Sequence, residues 1–138
     1  MNILDKIFDE KYYKIKHFEQ NGKIYEYLGI KRFRKALLHI AKDRKDEVPF
    51  KNYFLTEYSV NAIKKYEQMS RKSEKSHVII ATVMLLYMVR IGVFIKDIFD
   101  VMFLLFFTLV NIITNIYPIF LQRYNRIRIQ KILNKIEV

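Results

Sequence analysis

The chain has 138 residues, 51% hydrophobic and 28% charged, with a formal net charge of +11 and no cysteine. Its mean hydropathy of −0.04 hides a segregation: residues 1–76 carry net +7 and residues 122–138 net +4, while residues 77–121 are neutral, with only Arg90, Lys96, Asp97 and Asp100 charged. A 45-residue block so nearly free of charge argues against an ordinary globular enzyme, a disulfide scaffold or a disordered chain.

Residues 1–16 alternate charges and aromatics and lack the apolar core of a signal peptide. The absence of cysteine removes a thiolate metal site and a cysteine nucleophile, and fits a reducing, cytoplasmic setting for the polar parts. Further on, Tyr25, Leu28, Phe33, Leu37 and Ile40 recur at helical spacing among Lys31, Arg32, Arg34 and Lys35, which predicts a basic amphipathic helix interrupted by Gly29. Such a helix either lies on an anionic bilayer surface or packs on the rest of the protein. Asp46–Pro49 breaks the pattern. Thr56 is then placed to cap a helix from Glu57, carrying Val60, Ile63, Tyr66 and Met69 at helical spacing. No breaker separates this helix from the apolar block, so one continuous helix is expected to run into it.

Residues 77–95 and 98–121 are the two apolar runs; the second is long enough to cross about 30 Å of hydrocarbon, and the first, interrupted by Arg90, is marginal. Arg90 lies toward one end of the first, where its stem can snorkel. The Lys96-Asp97 link is short enough to demand an antiparallel hairpin. Basic flanks on both sides place both termini in the cytoplasm. Asn111 and Asn115 stand one turn apart inside the second run, and Pro118 is expected to kink or loosen it. No alternating stretch suggests a sheet. The expected fold is all-α: a basic helical region over 1–55, then an amphipathic helix, a transmembrane hairpin and a basic tail over 56–138.

Two constellations carry chemistry. Glu74 and His77 form an E-x-x-H pair on one helix face at the lipid–water boundary. There a histidine can take a proton from a hydroxyl while a carboxylate orients it; a boundary histidine facing headgroups beside a solvated glutamate has the same spacing. The second is Asn115 followed by Gln122-Arg123-Tyr124-Asn125-Arg126-Ile127-Arg128. Arginines in this density bind phosphates bidentately, and they also serve as a plain positive-inside anchor. Phosphate-loop, dinucleotide and nucleophile-elbow motifs are missing, and His17, His39 and His77 lack metal-site spacing. No nucleic-acid motif accompanies the positive charge.

Three blocks resemble the glycosyl-4,4'-diaponeurosporenoate acyltransferase family of bacterial carotenoid biosynthesis. They are Phe18-Glu19-x-x-Gly22-Lys23-x-Tyr25 running through Gly29-Ile30-Lys31-x-Phe33, then Glu74-x-x-His77, then Asn115 with Gln122-Arg123-Tyr124-Asn125-Arg126-x-Arg128. The family carries a further apolar helix ahead of the first block, where this chain has a short polar lead. The resemblance implies a multi-pass plasma-membrane enzyme that esterifies a sugar hydroxyl of a glycosylated C30 carotenoid, or of a similar glycolipid, with a fatty acyl group. His77 would be the general base and Glu74 its orienter. Arg123, Arg126 and Arg128 would hold the donor's phosphates, Gln122, Tyr124 and Asn125 would bind substrate, and Glu19 and Asn115 would shape the acceptor pocket. No cofactor is expected. The donor would be an acyl-CoA or acyl-carrier-protein thioester, transferring directly since no cysteine is present. The rival reading is a membrane adaptor packing on a larger complex, and two exposed helices also leave surface for self-association.

Overall fold

The computed structural model describes residues 3–42 and 59–136, and every regular element among them is helical. The elements are α1 (Ile3–Ile7), α2 (Glu10–Tyr13), a 3₁₀ turn (His17–Glu19), α3 (Lys23–Tyr27), α4 (Ile30–Ala41), α5 (Val60–Val93), α6 (Ile98–Asn111), a π-helical turn (Ile112–Ile116) and α7 (Tyr117–Ile136).

The long hairpin organises everything else. α5 begins where the Ser59 hydroxyl accepts the Ala62 N–H at 3.2 Å, and it runs unbroken for 34 residues. It is the continuous helix that the sequence predicts. Thr56 and Glu57, the expected start, lie outside the described residues. At the far end Asp97 caps α6, accepting the Phe99 and Asp100 N–H groups at 2.9 and 3.1 Å, while Asp100 reaches back to the Lys96 N–H at 2.9 Å. The charge inside the second apolar run is thus spent on the turn.

The return arm passes Pro118 without ending. Pro118 has no N–H to give the preceding turn, and the ladder widens to π spacing over Ile112–Ile116 immediately before it. The hydroxyls of Thr82, Thr108 and Thr114 each donate to the carbonyl one turn back at 2.8 Å, so they are satisfied without water.

From Ile80 to Ile113 the hairpin presents a near-continuous belt of exposed Val, Leu, Ile, Met and Phe. Eighteen residues separate His77 from Ile95, about 27 Å of helix rise. Both arms are long and apolar enough to cross a membrane, with the belt facing outward. An exposed apolar surface of that extent calls for lipid rather than water.

The polar layer packs around the other end of the hairpin. Tyr25, Ile30, Leu121, Tyr124 and Ile127 form its core, with Phe33, Leu37, Tyr117 and Phe120 against it. Phe33 stacks on Tyr117 at 5.1 Å, and the Tyr117 hydroxyl donates to the Leu28 carbonyl at 3.0 Å. α4 therefore packs on α7 in the protein-packed arrangement, with Ile40 left exposed. Gly29, at φ +79°, breaks the amphipathic run as its position predicts. Ion pairs of Arg71 with Glu10, and of Lys75 with Asp5 at 3.0 Å, tie α2 and α1 to α5, while Glu67 on α5 itself also holds Arg71 at 2.9 Å.

Candidate active site

Where the hairpin meets the polar layer, α5 and α7 carry a row of buried polar side chains. Nearest the apolar belt, His77 Nδ1 lies 3.3 Å from Asn115 Oδ1. Asn115 Nδ2 donates to Asn111 Oδ1 at 2.9 Å, and Asn111 Nδ2 to the Ala81 carbonyl at 3.3 Å. The π-helical turn containing Asn115 aims its amide at α5. The chain His77–Asn115–Asn111–Ala81 orients the imidazole: Asn115 Oδ1 is an acceptor suited to Nδ1–H, and in the neutral ring with that tautomer Nε2 carries the lone pair. Nε2 has no partner among the described residues.

One turn further from the belt the row becomes ionic. Glu74 is fully buried and holds two arginines: Arg123 Nη1 donates to Oε1 at 3.1 Å, and Arg126 Nη2 donates to Oε2. Arg126, 1% exposed, also gives Nη1 to the Tyr13 carbonyl at 3.3 Å. Glu19, also 1% exposed, takes Arg123 as a two-pronged pair, with Nε at 2.9 Å and Nη2 at 2.5 Å. It further accepts the Lys16 N–H at 2.7 Å and the Tyr25 hydroxyl. Burial alone would raise the Glu19 carboxyl. The Arg123 guanidinium, the Lys16 N–H and the Tyr25 hydroxyl outweigh burial and hold it down at about 2.

Aromatic rings close the cluster. Tyr13 lies between Arg71 and Arg126, whose guanidinium carbons stand 5.2 and 5.0 Å from its ring centre. Arg123 stands 5.9 Å from the Tyr12 ring. Burial first, and then the Glu74 carboxylate, push the Tyr12 hydroxyl well above the usual phenol range.

The pairings that the sequence suggests are thus rearranged in space. Glu74 and His77 share a helix, yet no hydrogen bond joins them; Asn115 takes the imidazole and the arginines take the carboxylate. Gln122, on α7, is buried against α5, its side chain donating to the Ser73 hydroxyl at 3.3 Å while its backbone carbonyl accepts from Ser70 at 3.4 Å. The Tyr124 hydroxyl donates to Glu26 at 3.0 Å, and its ring lies against Gly22, where a Cβ would meet Cε2 at 3.2 Å. Asn125 is half-buried and Arg128 exposed, on other sides of α7. Tyr12, Tyr13 and Asn111 belong to the cluster. Asn111 stands out in the sequence as an intramembrane amide, but the two tyrosines give no signal beyond aromatic density near the start of the chain.

The three short blocks singled out in the sequence converge here: Glu19 on Arg123, Gly22 on Tyr124, Glu74 on Arg123 and Arg126, and His77 on Asn115. Neither a curated protein nor a solved structure matches the chain. The family described as glycosyl-4,4'-diaponeurosporenoate acyltransferase matches residues 9–135, which takes in all of these contacts, and the chain belongs to that family.

Proposed function

We propose that this protein is an integral membrane O-acyltransferase that esterifies a sugar hydroxyl of a glycosylated C30 carotenoid with a fatty acyl group from a soluble thioester. The His77–Asn115 pair at the edge of the apolar belt carries this reading. His77 Nε2 takes the proton of the sugar hydroxyl, and the oxygen attacks the thioester carbonyl. The carbon–sulfur bond breaks, and the leaving thiolate takes the proton back from the imidazolium. Asn115 holds the ring in the tautomer that this step needs.

Glu74, Arg123, Glu19 and Arg126 build the polar floor beneath the base. With Tyr25 and Gln122 they are packed away from solvent and hold α5 rigidly against α7 below His77, while the carotenoid chain lies along the belt. Arg123 and Arg126 act through this packing, since their guanidinium groups are taken by Glu19 and Glu74. The basic segments on both sides of the hairpin support a cytoplasmic position for both termini and the site, the side where thioester donors are made.

The test is acyl transfer in membranes containing the protein, supplied with labelled acyl-CoA and a lipid extract rich in glycosylated C30 carotenoid. A new ester, formed by the natural chain and absent with His77→Ala at equal insertion, is expected. Full turnover by His77→Ala would overturn the assignment.

A further inference from the structure

Of the three tail arginines, two are consumed by carboxylates, which leaves the question of what Arg128 does. It is exposed and borders a groove between α4 and α7, of about 470 Å³, together with Lys31, Arg34, Lys35, Leu38 and Tyr124. Four cations line the groove, and one of them, Lys31, is paired with Glu26 at 2.7 Å. Arg34, Lys35 and Arg128 have no ion-pair partner among the described residues. Like charges gathered in a concave site repel one another, and a multiply charged anion relieves that repulsion. Two guanidinium groups facing across a groove suit phosphate oxygens.

Position selects the kind of anion. Arg128 stands thirteen residues beyond Asn115 on α7, about 20 Å along the helix axis. That is well past the end of the apolar belt, too far from it for a lipid headgroup and within reach of a soluble molecule. Several phosphates are needed to match the charge. On the helical wheel Asn125 falls between the α4-facing row of Tyr124 and Arg128 and the α5-facing row of Asn115, Gln122 and Arg126. Its half-buried amide marks a path around α7 from the groove toward His77.

We infer that the α4–α7 groove, through Arg34, Lys35 and Arg128, binds the phosphate groups of coenzyme A, with the pantetheine arm passing Asn125 on its way to His77. The inference rests on the acyl-transfer reading and assigns the donor's docking place.

Coenzyme A itself, without an acyl group, is titrated calorimetrically into the protein in zwitterionic nanodiscs. Arg34→Ala/Arg128→Ala is expected to weaken binding at least tenfold. The charge-matched pair Arg32→Ala/Lys42→Ala, outside the groove, is expected to keep it within twofold. In turnover, the groove variant is expected to raise KM for acyl-CoA and leave kcat unchanged. Equal weakening by both pairs would reduce the effect to bulk charge and overturn the inference. So would the absence of coenzyme A binding, or retention of acyl-carrier protein or phosphatidylglycerol by the groove in its place. Groove-dependent coenzyme A binding without any transfer would leave the inference standing and remove the reading of His77. Transfer from a donor other than coenzyme A would do the reverse.

Discussion

Arg123 and Glu19 lie 104 residues apart in sequence and meet as a two-pronged ion pair, at 2.9 and 2.5 Å, beneath the apolar belt. This contact joins the polar N-terminal region to the returning arm of the hairpin. Removing one partner of a buried pair strands the other charge, at a cost of about 3–5 kcal/mol. Glu19→Gln is therefore expected to lower the unfolding midpoint in detergent markedly while the hairpin helices remain.

The same carboxylate gives a pH signature. The folded value for Glu19, about 2, is depressed from the ordinary 4.5. Its contribution is complete above about pH 4.5 and is lost as the pH falls toward 2. The shift corresponds to about 3 kcal/mol. Unfolding measured at pH 6 and pH 3 should show a loss in the natural chain that is much smaller in Glu19→Gln.

His77 and Asn115 should behave as one unit. His77→Ala is expected to lower turnover about 10²–10⁴-fold, as loss of a general base does. Asn115→Ala, which frees the ring to rotate, is expected to cost about 100-fold. The double variant should be no slower than His77→Ala alone. Additive losses, read from initial rates of ester formation, would separate the two residues.

Gly22 and Gly29 offer a matched comparison. Both have positive φ, +72° and +79°, but a Cβ on Gly22 would press on Tyr124 at 3.2 Å, whereas one on Gly29 meets nothing within 4 Å. Gly29→Ala should cost about 1 kcal/mol of backbone strain. Gly22→Ala should cost more, and the added loss should shrink when Tyr124 is also made Ala. Thermal unfolding of the natural chain, the two glycine variants, Tyr124→Ala and Gly22→Ala/Tyr124→Ala checks this.

Pro118 should matter more for turnover than for stability. Pro118→Ala restores an N–H and lets the Ile112–Ile116 turn tighten to α spacing. That would rotate Asn115 away from His77. Turnover is expected to fall at least tenfold with little change in unfolding midpoint, and the His77 side-chain resonances should shift.

The hairpin is legible in the sequence because its signal is local: two long apolar runs, a two-residue link and no breaker ahead of His77. The site is legible in its members and less so in its pairings. Spacing puts Glu74 and His77 on one helix, yet spacing along a helix says nothing about what the neighbouring helix offers. The returning arm presents Asn115 from the π-helical turn at one level and Arg123 and Arg126 from α7 at the next, and His77 and Glu74 on α5 take the complementary groups there. The π-helical turn is hidden as well. Pro118 foretells a disturbance, but the turn adjusts the ladder and the arm continues. Tyr12 and Tyr13 have no place that spacing alone could give them, since their role depends on how short segments fold against residues 58 to 113 positions later in the chain.

The unbroken course of α5 has a further meaning. Thirty-four residues of helix make a rod about 50 Å long, rooted among the ion pairs and running the length of the apolar belt. His77 is fixed on that rod about 27 Å from its far turn. On the acyl-transfer reading, a base so fixed could not follow a hydroxyl up or down; it would wait at one level, and lipids drifting past would bring their hydroxyls to it or not. Such an enzyme would choose its acceptor by height in the bilayer, as a ruler does, before any contact with the sugar read its shape.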